Sequence, residues 1–327
     1  RYSQRRVWSY RSSARFTKKW RSGSQSTAWG LAHDCLLDER HRDVRAVSRG
    51  KIVTPVVFVH GAFCGGWAFD AFREPCEAAG FETHAPNLPH HERGADLEQL
   101  AQTGLKDYAH AIALYVRTLR APPVLVGHSL GGLVSQLAAV HAPIAGLVLL
   151  APSAPWGVPP TTIDEHSHQF GLSLLGDYWR RAVPPDYRVA RTTTLDRLSR
   201  DDARRTFARF VPESGRAIRE AVQWWLDHSM ASQAPVYRIN APVLGLAGGK
   251  DRVNPSSTVR RVIARFPGDQ AHFHEFPNMS HWLVGEPEAR DVAQMTLRWF
   301  EARDILPKPA KPKRKQLSLF GWREAPV

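Results

Sequence analysis

One serine of this sequence stands in a pattern typical of a nucleophile. Ser129 lies at the centre of residues 127–131, Gly-His-Ser-Leu-Gly, between an apolar run from Val124 and a helical pattern up to Ala139. A serine on such a strand-to-helix turn adopts a strained backbone and crowds the positions two before and two after it, so small residues are needed there. The pattern therefore predicts a Ser129 hydroxyl exposed at a strand end. A chance match in a loop is the alternative.

A serine hydroxyl needs a base to remove its proton and a third group to orient that base. His281 is the predicted base, because it follows the last predicted strand and opens the loop before the last helix. His272 and His274 alternate along that strand, and we expect them to be structural or exposed. Asp251 is the predicted acid, since it follows a strand at 243–247 and precedes the histidine in the chain. A capping role at the next helix is its alternative.

Two backbone N–H groups are candidates to hold the negative charge of a tetrahedral intermediate. One belongs to Leu130, directly after the serine, and the other to Ala62, in the glycine-containing loop after the early strand at 56–59. Phe63 is the alternative donor if that loop is shifted by one residue. All these groups follow predicted strand ends, which is where parallel sheets place their reactive loops.

Strand patterns alternate with helix patterns along most of the chain, which predicts an α/β fold with a mostly parallel central sheet flanked by helices. The predicted strands lie at 56–59, 81–85, 124–128, 146–150, 243–247 and 271–276. Residues 153–235 break this alternation and are rich in arginine and aromatic side chains. We therefore predict a core of residues 51–152 and 236–305 with residues 153–235 inserted as loops and helical pieces.

The net charge of +13 belongs to the ends of the chain. Residues 1–33 hold eight basic residues and no acidic one, and five more basic residues lie at 308–315. These basic residues together equal the net charge of +13, so the residues between the two ends are close to neutral. We therefore expect no nucleic-acid binding by the core. Residues 1–50 are typical of a disordered extension and also of an organelle transit peptide. No stretch is long and apolar enough for a membrane span.

Metal and disulfide chemistry are not predicted. The three cysteines, Cys35, Cys64 and Cys76, match neither a disulfide framework nor a zinc site, so we expect a reducing, cytoplasmic setting. The histidines at 90–91 and at 166 and 168 lack the spacing of a known metal site. We expect them in surface loops, and we expect no metal and no cofactor.

The C-terminal residues predict a contact made by the tail. A basic linker at 307–315 is followed by Gln316, Leu317, Leu319 and Phe320. This segment resembles the short peptide by which bacterial DNA-associated proteins bind the replication sliding clamp. Packing of the tail on its own body and hydrophobic contact with another subunit are two further interpretations.

Over roughly residues 51–305 the chain resembles the α/β-hydrolase superfamily. The motifs that carry the resemblance are 60–62 (His-Gly-Ala), 127–131, 248–251 (Gly-Gly-Lys-Asp) and 278–281 (Asn-Met-Ser-His). The resemblance implies a serine–histidine–aspartate triad and makes residues 153–235 a helical cap over the site. The aromatic residues of that cap fit an apolar substrate pocket and the packing of the cap itself equally well.

The resemblance implies a cofactor-free serine hydrolase that cleaves carboxylic esters, small or polymeric, with a hydrophobic acyl group. Residues 60–67 also resemble the plant methylesterase and hydroxynitrile lyase group. Its lyases carry a lysine directly after the catalytic histidine, where this chain has Trp282, and this disfavours cyanohydrin cleavage. A perhydrolase or carbon–carbon bond hydrolase with the same triad is the enzymatic alternative, and a non-catalytic ligand- or partner-binding protein is the alternative of another class.

Overall fold

A computed structural model of the chain describes residues 54–305. Its strands are β1 (Val56–Val59), β2 (Thr83–His84), β3 (Val124–His128), β4 (Gly146–Leu150), β5 (Ala182–Val183), β6 (Glu213–Ser214), β7 (Val243–Gly248) and β8 (Ala271–Phe276). Its α-helices are α1 (Asp70–Ala78), α2 (Leu97–Gln102), α3 (Leu105–Thr118), α4 (Leu130–Ala139), α5 (Ile163–Ser173), α6 (Tyr187–Thr192), α7 (Arg200–Phe207), α8 (Gly215–Val222), α9 (Ser256–Ile263) and α10 (Ala289–Ala302). The predicted N-terminal extension, Cys35, and the basic linker with its tail segment lie outside the described residues.

Six strands form one parallel sheet in the order β2-β1-β3-β4-β7-β8. The strands β1, β3, β4 and β7 are buried along their whole length, which is why each reads as a continuous apolar run. The edge strand β8 instead alternates, with His272 and His274 exposed as predicted. The fold class is therefore the predicted α/β class.

Helices cover both faces of the sheet, and each face has its own core. Neighbouring residues of β1 point to opposite faces, because side chains alternate along a strand. Val57 belongs to the cluster that contains Tyr108 of α3, and Phe58 belongs to the cluster that contains Phe300 of α10. Phe58 also stacks on Phe69, with ring centroids 4.8 Å apart. The two cores hold the central strands, and hence the loops at their ends, in fixed positions.

The strand predicted at 81–85 is shorter in the structure. Only Thr83–His84 pairs with β1, at the edge of the sheet. The Phe81 N–H donates to the Cys76 carbonyl at the end of α1, at 3.0 Å, and is therefore unavailable to a strand partner. The prediction of a strand over residues 81–85 is therefore too long by three residues.

The inserted segment, residues 153–235, contains α5 to α8 and the antiparallel pair β5–β6. Contacts of acidic side chains, two of them buried, attach it to the rest of the described chain. Glu165 of α5 accepts a hydrogen bond from Thr258 of α9 at 2.6 Å, and Arg197 donates to Glu286 and Glu288, each at 2.9 Å. No helix within residues 54–305 is long and apolar enough to cross a membrane.

The aromatic residues of the inserted segment have different surroundings. Tyr178 is fully buried, and its hydroxyl donates to Gln223 at 2.8 Å. Trp156 and Trp224 pack edge to face at 5.5 Å between ring centroids. Phe170 is 67% exposed. Packing within the segment therefore explains Tyr178 and the tryptophan pair, whereas Phe170 faces solvent.

Candidate active site

Ser129 lies in the sharp turn between β3 and α4. Its φ of 53° and ψ of −122° place a non-glycine residue in a region that costs about 1–3 kcal/mol. The turn is held from both sides, because the Ser129 N–H donates to the Leu150 carbonyl and its own carbonyl accepts from Ser153, both at 2.9 Å. A Cβ on Gly127 would lie 2.4 Å from the Gly131 oxygen, and one on Gly131 would lie 2.2 Å from a β1 carbonyl. The glycines are therefore required, as the sequence predicts.

Of the three side chains predicted to act together, His281 lies within hydrogen-bonding distance of the other two. His281 Nδ1 is 2.8 Å from Asp251 Oδ2, and His281 Nε2 is 2.9 Å from Ser129 Oγ. All three residues are buried, with exposed fractions of 8% for Ser129, 5% for Asp251 and 3% for His281. An Nδ1–H donated to the carboxylate leaves the Nε2 lone pair facing the serine hydroxyl, which is the arrangement a general base needs.

The Asp251 carboxylate has two roles in the structure. Oδ2 faces His281, while Oδ1 accepts the N–H groups of Val253 at 2.7 Å and Asn254 at 2.9 Å. These bonds cap the turn at 251–254, but α9 begins only after Pro255 and has no side-chain cap, so the helix-capping alternative is wrong. The capping bonds fix the direction in which the second oxygen points.

The loop that carries His281 is fixed by groups that the sequence analysis did not identify. His128 Nε2–H donates to the His281 carbonyl at 2.8 Å. Burial and the neighbouring His281 lower the pKa of His128 to about 3, so this ring is neutral at pH 7. The Ser280 N–H donates to the Glu286 carboxylate at 3.0 Å, and Arg197 of the inserted segment holds that carboxylate.

The candidate oxyanion donors have different surroundings. Within residues 54–305 the N–H groups of Ala62 and Leu130 donate to no protein acceptor, whereas the Phe63 N–H donates to a Glu213 oxygen at 3.3 Å. A Cβ on Gly61 would lie 3.1 Å from Ser129 Cβ, so this loop packs directly against the serine. Of the two donors considered for this loop, the Ala62 group is the one left available to a ligand.

The expectation of a surface position for His91 is wrong. His91 is 2% exposed, and its Nε2 lies 3.0 Å from Glu213, whose side chain is fully buried. Tyr108 donates its hydroxyl to the same carboxylate at 2.7 Å. The partner lies 122 residues further along the chain in a segment without regular periodicity, so no local pattern marked either residue.

An aromatic cluster lies beside the predicted base. Trp282 follows His281 directly, and its ring centroid is 6.1 Å from those of Trp67 and Phe210. Trp67 is partly exposed and precedes α1, whereas Phe210 belongs to the inserted segment. The core and the inserted segment therefore both contribute side chains to this aromatic cluster.

Comparisons with known proteins agree with this architecture. The model of the alpha/beta hydrolase family matches residues 56–294. A pyrethroid hydrolase of Sphingobium wenxiniae is 35% identical over 114 residues, which are 34% of this chain and 40% of that protein. The match thus spans about two fifths of the relative's length.

Solved structures resemble the chain over a longer stretch. A monoacylglycerol lipase of Paleococcus ferrophilus superposes with a TM-score of 0.58 at 23% identity, covering 77% of this chain and 97% of that one. A methylesterase of Arabidopsis superposes with a TM-score of 0.58 at 17% identity, covering 76% of this chain and 100% of that one. At these identities the likeness concerns the fold.

Proposed function

This chain belongs to the alpha/beta hydrolase family, and on that premise we propose that it cleaves carboxylic esters through an acyl-enzyme on Ser129. The observation that carries the proposal is the continuous contact from Asp251 through His281 to Ser129, at 2.8 and 2.9 Å. The names of the pyrethroid hydrolase, the lipase and the methylesterase add support, since each describes or implies an ester substrate.

The chemistry follows from the direction of each hydrogen bond. Ser129 Oγ attacks the ester carbonyl carbon while His281 Nε2 takes its proton, and Asp251 stabilises the imidazolium that forms. The N–H groups of Ala62 and Leu130 donate to the oxygen that becomes negative, and Leu130 opens α4, whose N-terminal dipole favours that charge. His281 then protonates the departing alkoxide, and water activated by the same nitrogen hydrolyses the acyl-enzyme.

An apolar group on the substrate is part of the proposal. Its support is the aromatic cluster formed by Trp282, which follows His281 in the chain, with Trp67 and Phe210 at 6.1 Å between ring centroids. Residues 153–235 act as the cap in this proposal, because they contribute Phe210 and attach to the core through buried polar contacts.

A cytoplasmic location is also part of the proposal. Its support is that the thiols of Cys64 and Cys76 are free and buried.

Turnover of a substrate panel tests the proposal. Wild-type protein should hydrolyse p-nitrophenyl esters of short and medium acyl chains, and Ser129→Ala should lower kcat by at least about 10⁴-fold. Ser232→Ala is the matched control, because Ser232 is a fully buried serine of the inserted segment and should leave kcat unchanged. Preference for a peracid-forming or diketone substrate would favour the alternative chemistries. Full activity of Ser129→Ala would contradict the proposal.

A further inference from the structure

The carboxylate of Glu213 is the centre of a buried hydrogen-bond cluster outside the triad. One oxygen, Oε1, accepts from the Tyr108 hydroxyl and the Ser214 N–H, both at 2.7 Å. The other, Oε2, faces His91 Nε2 at 3.0 Å and accepts the Phe63 N–H at 3.3 Å. A buried carboxylate is tolerated when each oxygen is satisfied in this way.

His91 is the cation that balances this charge. Its Nδ1 faces the Pro89 carbonyl at 3.0 Å and its Nε2 faces the Glu213 carboxylate, so both ring nitrogens point at acceptors and both carry a proton. Burial acts to lower the pKa of His91, but the charge and hydrogen bond of Glu213 outweigh it and raise that pKa. The pair is therefore a buried ion pair between the core and the inserted segment.

The loop beside Ser129 is held by the same group of residues. Phe63 has a φ of 62°, and its carbonyl accepts the Val211 N–H at 2.9 Å while its N–H donates to Glu213. Both polar groups of Phe63 are thus bound by the inserted segment. Within the core, the His60 Nδ1–H donates to the Gly61 carbonyl and His60 Nε2 accepts the Leu88 N–H, both at 2.9 Å.

We propose that Glu213 is a positioning residue for ester cleavage, which fixes the Phe63 N–H away from the site and so aims the Ala62 N–H at the oxyanion. This inference rests on the proposed function. The bond to Glu213 fixes the peptide group between Ala62 and Phe63, and this group is joined through the Ala62 Cα to the preceding peptide group, which carries the Ala62 N–H. The strained φ at Phe63 persists because its surroundings hold it. His91 neutralises the carboxylate without taking part in the reaction. The inserted segment therefore supports the catalytic loop as well as covering the site.

The decisive variant replaces both residues of the ion pair by apolar side chains of similar size. Replacing a buried ion pair by hydrophobic residues of similar size often leaves stability unchanged, whereas removing one partner leaves a buried charge. His91→Leu combined with Glu213→Leu therefore leaves no unpaired buried charge, and it deprives the Phe63 N–H of its acceptor, together with the Tyr108 hydroxyl and the Ser214 N–H. The single variant Glu213→Leu is made beside it, and the double variant carries the test if the single one does not fold.

Arg216→Leu combined with Glu220→Leu is the matched control. Glu220 is also a buried glutamate of the inserted segment that binds a core N–H, that of Leu105 at 2.7 Å, and a cation, Arg216 at 2.8 Å. It does not contact the loop at 60–63. If the only effect of the substitutions is to weaken the attachment of the inserted segment to the core, both double variants should be affected alike.

The readouts are kcat per titrated active site, KM, and the inhibition constant of a trifluoromethyl ketone, whose hemiketal oxygen occupies the oxyanion position. In the His91/Glu213 double variant we expect kcat to fall by about 10- to 100-fold and the inhibition constant to rise by a similar factor, with KM within about threefold of wild type. The control should keep wild-type values. Equal kcat and inhibition constants in the two double variants would overturn the inference. Wild-type protein that turns over no ester would instead overturn the proposed function.

Discussion

Replacing Asp251 by asparagine tests the direction of the hydrogen bonds through the triad. The N–H groups of Val253 and Asn254 need an acceptor, so the amide oxygen of the new asparagine should take the place of Oδ1. Its NH₂ group then faces His281 Nδ1 in place of Oδ2. Because an amide nitrogen donates, Nδ1 must become an acceptor, and the ring proton moves to Nε2, which faces Ser129 Oγ at 2.9 Å.

The expected loss follows from this change of tautomer. The nitrogen that should remove the serine proton already carries one, and in the serine-protease triad the same replacement lowers kcat about 10⁴-fold. Since each factor of ten corresponds to about 1.4 kcal/mol, the activation free energy should rise by about 5.5 kcal/mol. The capping bonds survive in Asp251→Asn, so the melting temperature should change little.

The assay is steady-state hydrolysis of a p-nitrophenyl ester, with active-site concentration measured separately. Asp227→Asn is the control, because Asp227 accepts the N–H groups of Ser229 at 2.9 Å and Ala231 at 2.7 Å without contacting a histidine. It should retain wild-type kcat. An Asp251→Asn protein that keeps more than a tenth of the wild-type kcat would refute this reasoning.

Three further predictions concern stability and loop position. Burial and a neighbouring histidine lower the pKa of His60 to about 3, so the unfolded chain binds a proton below pH 6.5 that the folded one excludes. The free energy of unfolding, measured in urea, should be higher for wild type than for His60→Gln near pH 6. This difference should shrink by about 1.4 kcal/mol per pH unit as the pH falls from about 6 to about 4. Arg197→Met leaves the Glu286 carboxylate without its cation and should lower the free energy of unfolding by about 1–3 kcal/mol and also lower kcat. Gly127→Ala should abolish activity and destabilise the protein by more than about 4 kcal/mol. Its control is Gly171→Ala in α5, where the added Cβ meets open space; thermal melts should show this variant stabilised by up to about 1 kcal/mol.

Each of these predictions has an opposite outcome. A pH-independent difference between wild type and His60→Gln would show that this ring titrates alike in the folded and unfolded chain. For Arg197→Met the comparison is Arg290→Met, which breaks an exposed pair with Glu74 and should change stability by less than about 1 kcal/mol. Equal effects of the two arginine variants would contradict the role given to Arg197. An active, stable Gly127→Ala protein would contradict the packing described around Ser129.

The buried strands of the main sheet and the positions of Ser129, Asp251 and His281 could be predicted because each depends on a local signal. Apolar runs mark the buried strands, and a parallel sheet gathers the residues that follow them at one edge. The glycines beside Ser129 carry a steric requirement that is readable from five residues. These signals need no knowledge of which distant segments meet.

The supporting contacts could not be predicted in the same way. Glu213 stands in an arginine-rich segment where an acidic side chain is typical of the surface, and its burial depends on His91, 122 residues away. Arg197 and Glu286 are 89 residues apart, and neither belongs to a recognisable motif. The choice between Ala62 and Phe63 as donor depends on the same long-range packing, because the Phe63 N–H is bound by Glu213.

Covalent trapping of the nucleophile is the most direct test of the central claim. Wild-type protein treated with a fluorophosphonate should gain the mass of one phosphonyl group, and peptide mapping should locate it on Ser129. The adduct should be absent from Ser129→Ala and should form much more slowly in His281→Ala, because we propose His281 Nε2 as the group that accepts the serine proton. An adduct on another residue, or folded wild-type protein that remains unlabelled, would contradict the account.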